Sequence, residues 1–151
     1  MPLTELKLCD KLASASAPQV KGKAFNLECK VETDQRDAVI LAQGGLVGYA
    51  LHIRAGHVVF AVRQSADRLT EIASRDEVKG AFGVSVGLAA DGTMTLLIAG
   101  QETVTGKTQG LFPRQPAEDF CLGGDNGKPV GIYAPLTPLR GAVTELSFTS
   151  R

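Results

Sequence analysis

The sequence predicts a single all-β domain, an antiparallel β-sandwich. Apolar residues alternate with polar ones along most of the chain, as where Leu27, Cys29 and Val31 alternate with Glu28 and Lys30. Such alternation is typical of strands with one face in a core and one in solvent. Turn residues interrupt the apolar runs at short, fairly regular intervals, which favours a sandwich or barrel. Because 151 residues suit one core, we expect one domain spanning residues 1–151.

The predicted strands follow one another with little room for helices. Their apolar positions fall within 27–31, 39–42, 49–53, 58–62, 82–88, 94–98, 104, 120–122 and 143–148. Only two segments have any helical tendency. We interpret the Ala/Ser-rich segment 10–17 as a loop and segment 74–79 as one short turn.

The first hairpin can be registered from the sequence alone. A two-residue loop at Ala55-Gly56 pairs Ile53 with Val58 and continues the same register along both strands. All the apolar side chains then share one face, as a correct register requires. Alanine is a poor residue for the left-handed backbone of a primed turn, so the type of turn stays open.

The second hairpin surrounds an Asp-Gly pair. A two-residue loop there would divide the apolar residues between the two faces of the sheet. A three-residue loop at 90–92 instead pairs Leu88 with Met94 and Val86 with Leu96. It also places a glycine where a left-handed residue is needed. The three-residue register is therefore our prediction.

The charge and hydropathy patterns exclude several kinds of partner. Lys plus Arg and Asp plus Glu both number 16, so the net charge is zero. A neutral chain offers no electrostatic basis for binding nucleic acid or an anionic membrane. No apolar run reaches the roughly 18 residues that a membrane span needs. Residues 1–10 lack the apolar segment of a signal peptide, so we expect none in this form of the chain.

The three cysteines, Cys9, Cys29 and Cys121, match neither a zinc-binding spacing nor a CxxC redox motif. We interpret them as buried, unreactive thiols. The alternative is a disulfide between Cys9 and Cys29, which requires adjacent strands and an oxidising compartment. An odd count leaves at least one thiol unpaired within the chain in either case.

Several glycine-containing segments occur in an order typical of a known family. They are Val39–Gly45, Gly48–Leu51, Gly56–Phe60, Asp91–Leu96, Leu122–Val130 and Gly141–Leu146. Together they resemble the laminin-G-like, concanavalin-A-like module found as an accessory C-terminal domain in many bacterial arylsulfatases. The resemblance extends over residues 18–149.

This resemblance implies that the antiparallel β-sandwich is a jelly roll of the concanavalin-A-like type. It also implies a non-catalytic accessory module of a bacterial arylsulfatase, used for carbohydrate binding or domain docking. It also implies an extracellular or periplasmic location. A stand-alone protein-interaction module and a glycan-active enzyme are the alternatives, because this architecture is reused for many functions. The sequence departs from the family at Ala55, where Asp is frequent, and at Cys121, where an acidic residue is frequent. Each change removes a carboxylate from a loop or strand edge, which argues against a shared metal site at these two points.

Catalytic motifs are missing from the sequence. None of the three cysteines begins the C/S-x-P/A-x-R motif of a sulfatase nucleophile. The nearest match to a glycanase carboxylate pair is Glu32 and Asp34, but Arg36 follows and no third acid appears. The only two histidines, His52 and His57, are predicted to be exposed on the outer side of a hairpin, too few for zinc. We therefore expect no catalytic residues.

The best candidate ligand loop is Asp125-Asn126. Asp and Asn oxygens are the ligands that calcium takes, and calcium often accompanies laminin-G-like folds, so these residues form a possible calcium or ligand site. An ordinary turn is the alternative. Tyr133 and Phe112, predicted in loops, are the aromatic residues that are available to stack on a sugar.

A row of small residues marks a possible docking surface. Gly83, Ser85 and Gly87 face outward on one predicted strand, next to Thr95 and Leu97 on the following strand. Glycine inside a strand often marks the close approach of another backbone. The hypothesis is that this flat patch docks against a partner domain or subunit. The alternative is that the small residues lie under a covering loop.

Overall fold

The computed structural model describes residues 6–8, 10–124, 130 and 139–150. Eleven strands lie in these segments, together with one 3-10 turn at Ser14–Ser16. The strands are β1 Lys11–Leu12, β2 Phe25–Thr33, β3 Ala38–Gly44, β4 Gly48–Arg54, β5 His57–Arg63, β6 Leu69–Ala73, β7 Gly80–Leu88, β8 Thr93–Ile98, β9 Val104–Lys107, β10 Phe120–Leu122 and β11 Ala142–Ser150.

The strands form two antiparallel sheets that pack face to face. One sheet has six strands in the order β1-β10-β3-β4-β5-β6, and the other has five in the order β11-β2-β7-β8-β9. This arrangement confirms the predicted antiparallel β-sandwich. The short strands β1 and β6 were not predicted because their apolar residues do not alternate over a long enough run.

The first hairpin has the predicted register, with Ile53 opposite Val58. Its loop residues Ala55 and Gly56 have φ values of 51° and 84°, so the turn is the primed type that alanine disfavours. Neighbouring groups hold this turn, because the backbone N–H of Ala55 donates to the Asp37 carboxylate at 3.0 Å.

The second hairpin also has the predicted three-residue register, with Leu88 opposite Met94. Gly92 has a φ of 90°, and a Cβ there would lie 2.6 Å from the Thr108 carbonyl oxygen, so only glycine fits. The backbone N–H of Thr93 donates to the Asp91 carboxylate at 3.0 Å. This bond, aided by the Thr93 hydroxyl and the neighbouring lysine of β9, lowers the pKa of Asp91 to about 2.

Strand β11 explains an irregular spacing of apolar residues near the end of the chain. Its pairing with β2 shifts between Thr144 and Ser147, and Glu145 within the shift has a φ of 54°. Such a bulge inserts an extra residue, so Val143 and Leu146 both face the core despite their odd separation.

The core between the sheets contains most of the aromatic side chains. Phe112 is buried there, 6.2 Å from the ring of Phe25 and 6.1 Å from the ring of Tyr49. The sequence expectation that Phe112 could stack on a sugar is therefore wrong, because its loop folds over the core. The Tyr49 hydroxyl donates to the Gln43 side chain at 2.9 Å, and burial raises the pKa of Tyr49.

The two segments with helical tendency contain no α-helix. Segment 10–17 contains β1 and the 3-10 turn, and segment 74–79 is an irregular loop. Ser74 holds that loop, since its hydroxyl accepts from the Val58 N–H at 3.0 Å and donates to the Asp76 carbonyl at 2.8 Å. Among the described residues no helix is long and apolar enough to cross a membrane.

Candidate functional site

The outer side of the six-stranded sheet is covered. Strands β3, β4 and β5 are buried on both faces, except at the ends of β4 and β5. The small outward side chains of Ala42, Ala50 and Ala61 pack with Val39 and Val130 into a second apolar cluster. Val130 comes from a segment between β10 and β11, and it is 0% exposed. Val130 therefore lies against the outer side of the sheet, where it packs on the small side chains.

This covering corrects the expectation for the histidines. His52 does point away from the main core, but it is 0% exposed and not a solvated side chain. Its Nε2 lies 3.6 Å from Glu71 Oε2, while Arg54 Nη1 lies 3.3 Å from Glu71 Oε1. His57 is half-buried, with its Nδ1 2.9 Å from the Ser74 carbonyl oxygen. The two histidines thus have separate partners, and the described residues bring no three His, Cys, Asp or Glu side chains together as metal ligands.

The outer side of the five-stranded sheet, here called the open face, has the opposite character. Strand β2 alternates strictly between buried and exposed residues, with Asn26, Glu28 and Lys30 directed to solvent. Leu97 on β8 is 42% exposed and lies opposite Ser85 on β7. The predicted row of small residues is therefore accessible at Gly83 and Ser85, whereas Gly87 is buried. The alternative of a covering loop does not hold at Ser85, which is half-buried, or at Leu97.

Three adjoining depressions extend over the open face, with volumes of about 440, 250 and 360 Å³. Each lies over a row of residues that are paired across neighbouring strands, here called a rung. The largest lies where β2 begins and β7 ends, on the rung that joins Thr149, Asn26, Gly87 and Thr95 across four strands. We call these four residues the neutral end, because none of the side chains that line this depression carries a charge.

Gly87 makes the neutral end possible. A Cβ at this position would lie 2.2 Å from the Asn26 amide oxygen and 3.0 Å from the Thr95 hydroxyl. The absence of a side chain therefore lets these two polar groups approach each other across the strand. Within the described part of the chain, the side chains of Asn26, Thr95 and Thr149 have no hydrogen-bond partner.

The other two depressions lie further along the same face and have charged rims. Glu28, Lys30, Glu32 and Glu145 line them, and we call these four residues the charged end. Lys30 Nζ lies 3.0 Å from Glu145 Oε2, so the cation is paired. Gly83 forms part of the floor of both depressions, and a Cβ there would meet only a methyl group at 3.9 Å.

The residues predicted for ligand binding lie outside the described residues. Asp125, Asn126 and Tyr133 all fall there, so the structure does not test the calcium site or the stacking role. The residues of the neutral end were not all predicted. Thr95 and Gly87 belonged to the predicted docking row, whereas Asn26 and Thr149 did not. Their only sequence signal is that each is a polar residue at an outward position of an alternating strand.

The cysteine predictions are confirmed where they can be checked. Cys29 is a buried thiol that forms no disulfide, so the alternative disulfide to Cys29 is wrong, and Cys121 is buried with its Sγ 3.8 Å from the Asp119 carbonyl oxygen. Burial raises the pKa of the Cys29 thiol to about 12, which makes it unreactive at neutral pH. Cys9 lies outside the described residues.

Comparison with known proteins identifies the fold. No protein-family model and no curated protein sequence matches this chain. Among solved structures, domains LG4-5 of the mouse laminin α1 chain have a TM-score of 0.73 at 16% identity, over 95% of this chain and 39% of theirs. A pentraxin of Limulus polyphemus has a TM-score of 0.65 at 14% identity, over 97% of this chain and 72% of its own.

A botulinum neurotoxin type C structure has a TM-score of 0.62 at 14% identity, over 83% of this chain and 32% of its own. Our chain thus spans less than half of the laminin and neurotoxin chains that it resembles. Likenesses at this identity show the fold, which is the concanavalin-A-like jelly roll predicted from the sequence.

Proposed function

We propose that this chain is a non-catalytic accessory module that binds carbohydrate through the open face of its five-stranded sheet. One observation carries the proposal: the six-stranded sheet is covered on its outer side, whereas the five-stranded sheet is open and holds three adjoining depressions. Ligand sites are usually concave surfaces with a few directed polar groups. The open face offers such a surface along its whole length.

The polar groups of the open face suit a sugar. Hydroxyl and amide side chains line the largest depression, and both groups donate and accept hydrogen bonds. Two of the similar structures also support carbohydrate binding. Cell entry of botulinum neurotoxin type C depends on two ganglioside molecules, and a second toxin binding domain of this fold has been solved in complex with SialylT.

Aromatic side chains contribute little to this face. In the described ranges the phenylalanines and Tyr49 are buried or half-buried, whereas sugar sites often stack a ring on the pyranose. We therefore propose recognition through hydrogen bonds, with Tyr133 as a possible additional contact. Asp125 and Asn126 remain the proposed calcium ligands.

The parent protein that we propose is a bacterial arylsulfatase located outside the cytoplasm. The ordered glycine segments support it, and the sequence itself lacks a sulfatase nucleophile motif. In that setting the module would hold the enzyme near its glycan substrate.

Docking against another protein domain is the second candidate. Leu97 is one of two large apolar side chains that are well exposed among the described residues, and it lies over the depression floored by Gly83 and Ala99. An exposed apolar side chain beside a shallow depression suits a partner surface. The same exposed side chain would also suit a stand-alone protein-interaction module, which is the alternative to an accessory domain.

A glycan array tests the carbohydrate proposal. The purified chain is applied to neutral, sialylated and sulfated glycans, with calcium and with a chelator. We expect saturable binding to at least one glycan class. No binding under either condition contradicts the proposal and leaves docking as the better account. A thermal shift with calcium that persists in Asp125→Ala would show that the calcium site lies elsewhere.

A further inference from the structure

We infer that the neutral end of the open face is a binding site for an uncharged sugar ring, held by Asn26, Thr95 and Thr149. This inference rests on the proposed function and adds the site, its residues and the class of sugar. It is carried by the alignment of three hydrogen-bonding side chains around one depression.

The depression has the size of a ligand site. Its volume is about 440 Å³, and small-molecule sites typically measure about 300–1,000 Å³. Ala24, Phe25, Leu88 and Ala89 also line it, beside the polar rung. A hexose ring therefore has both room and a mixed polar and apolar surface.

The polar groups of the rung are available to a ligand. The Asn26 amide offers two donors and an acceptor, and the hydroxyls of Thr95 and Thr149 each donate and accept. None of these three side chains bonds to another described residue. Neighbouring hydroxyls on a sugar ring donate and accept at the same time, so they can satisfy an amide and two hydroxyls together.

The charges around the site favour a neutral ligand. Sulfate and carboxylate groups are usually bound by cations. Two lysines face the same side of the sheet, but Lys30 pairs with Glu145 at 3.0 Å and Lys107 pairs with Asp91 at 3.3 Å. Neither lysine lines the largest depression. A sulfated or sialylated ring would thus lose hydration there without meeting a cation among the residues that line the depression.

Matched variants separate this site from the rest of the face. Thr149→Ala removes one hydroxyl of the rung, while Thr144→Ala removes the hydroxyl of another exposed threonine from the same strand at the charged end. Gly87→Ala introduces a Cβ that displaces the Asn26 amide, whereas Gly83→Ala on the same strand has free space. Each control thus matches its test variant in residue type, strand and face.

The test is an NMR titration of the full chain with methyl glucoside, galactoside and mannoside, alongside galactose-6-sulfate and N-acetylneuraminic acid. We expect at least one neutral methyl glycoside to shift the signals of Asn26, Gly87 and Thr95 saturably. Asn26→Ala, Thr149→Ala and Gly87→Ala should each weaken that binding about tenfold or more, a loss typical of a removed hydrogen bond. Thr144→Ala and Gly83→Ala should leave it unchanged.

Three results would overturn the inference. They are the absence of saturable shifts with any neutral glycoside, shifts confined to the charged sugars, and equal losses in Thr149→Ala and Thr144→Ala. If the glycan array is positive while the neutral glycosides do not bind here, the inference fails and the proposed function stands. If the array is also negative, both fail. The amide spectrum of each variant, recorded first, distinguishes lost binding from lost folding.

Discussion

The two sheets of this sandwich use their outer sides differently. On β4 of the six-stranded sheet, six of seven residues are buried, whereas β2 of the five-stranded sheet alternates buried and exposed residues along its length. A strand that is buried on both faces consists mostly of consecutive apolar or small residues, whereas a strand with one face in solvent alternates apolar and polar residues. The difference indicates that both sides of the six-stranded sheet are used for packing, while the outer side of the five-stranded sheet is available to contact a ligand or partner.

Small residues allow the six-stranded sheet to be covered. Ala42, Ala50 and Ala61 lie opposite one another on three neighbouring strands, so a segment can approach the sheet closely there. The small residues of the open face, Gly83 and Gly87, leave depressions in an accessible surface. Small residues therefore allow close packing on the six-stranded sheet and leave depressions open to a ligand on the five-stranded sheet.

The largest expected effect comes from placing a carboxylate on each outer side. Ala50→Asp buries a charge in the covered cluster, and we expect it to lower the free energy of unfolding by about 3 kcal/mol or more. Thr105→Asp, on the exposed outer side of β9, should cost less than about 1 kcal/mol. Urea unfolding measures both values. Similar costs for the two variants would mean that the outer sides do not differ.

Cysteine labelling gives the next largest effect. Cys121 lies on the covered side, opposite Ala42, and Cys29 lies in the main core. At pH 8 both should react with iodoacetamide at least about 100-fold more slowly in the folded chain than in guanidinium, because each is buried and only thiolate reacts. Since burial raises the pKa of Cys29 to about 12, raising the pH towards that value should speed its labelling.

Peptide mapping by mass spectrometry reads the two sites separately. Rapid labelling of Cys121 together with slow labelling of Cys29 would contradict the covering of the six-stranded sheet. Slow labelling of both would support it.

The smallest effect is expected at Gly83 on the open face. A Cβ there has free space, and alanine reduces the backbone entropy of the unfolded chain. Gly83→Ala should therefore stabilise the chain by about 0.5 kcal/mol, measured by urea unfolding. A clear loss of stability would mean that this part of the face is packed against another segment.

The hairpins could be predicted because the residues that determine their register and loop length are close together in the sequence. The register of β7 and β8 follows from the requirement that apolar residues share a face, and the position of Gly92 fixes the loop length. Strand β6 escaped prediction because its only fully buried residue is Ile72, which leaves no alternation to recognise.

Features that depend on distant segments could not be predicted. His52 is buried on the outer side of its sheet, with its Nε2 3.6 Å from Glu71 Oε2 on β6, and the burial of Phe112 requires its loop to fold over Phe25. The neutral end requires β11 and β7 to flank β2, which brings Thr149 beside Asn26. The docking row was found from the sequence because its residues lie on two consecutive strands.

Chemical-shift mapping with the strongest glycan from the array tests most directly whether the open face binds carbohydrate. We expect perturbed signals on outward residues of β2, β7, β8 and β11, and unchanged signals on β3, β4 and β5. Perturbation centred on those three strands of the six-stranded sheet, with the open face unchanged, would contradict this expectation.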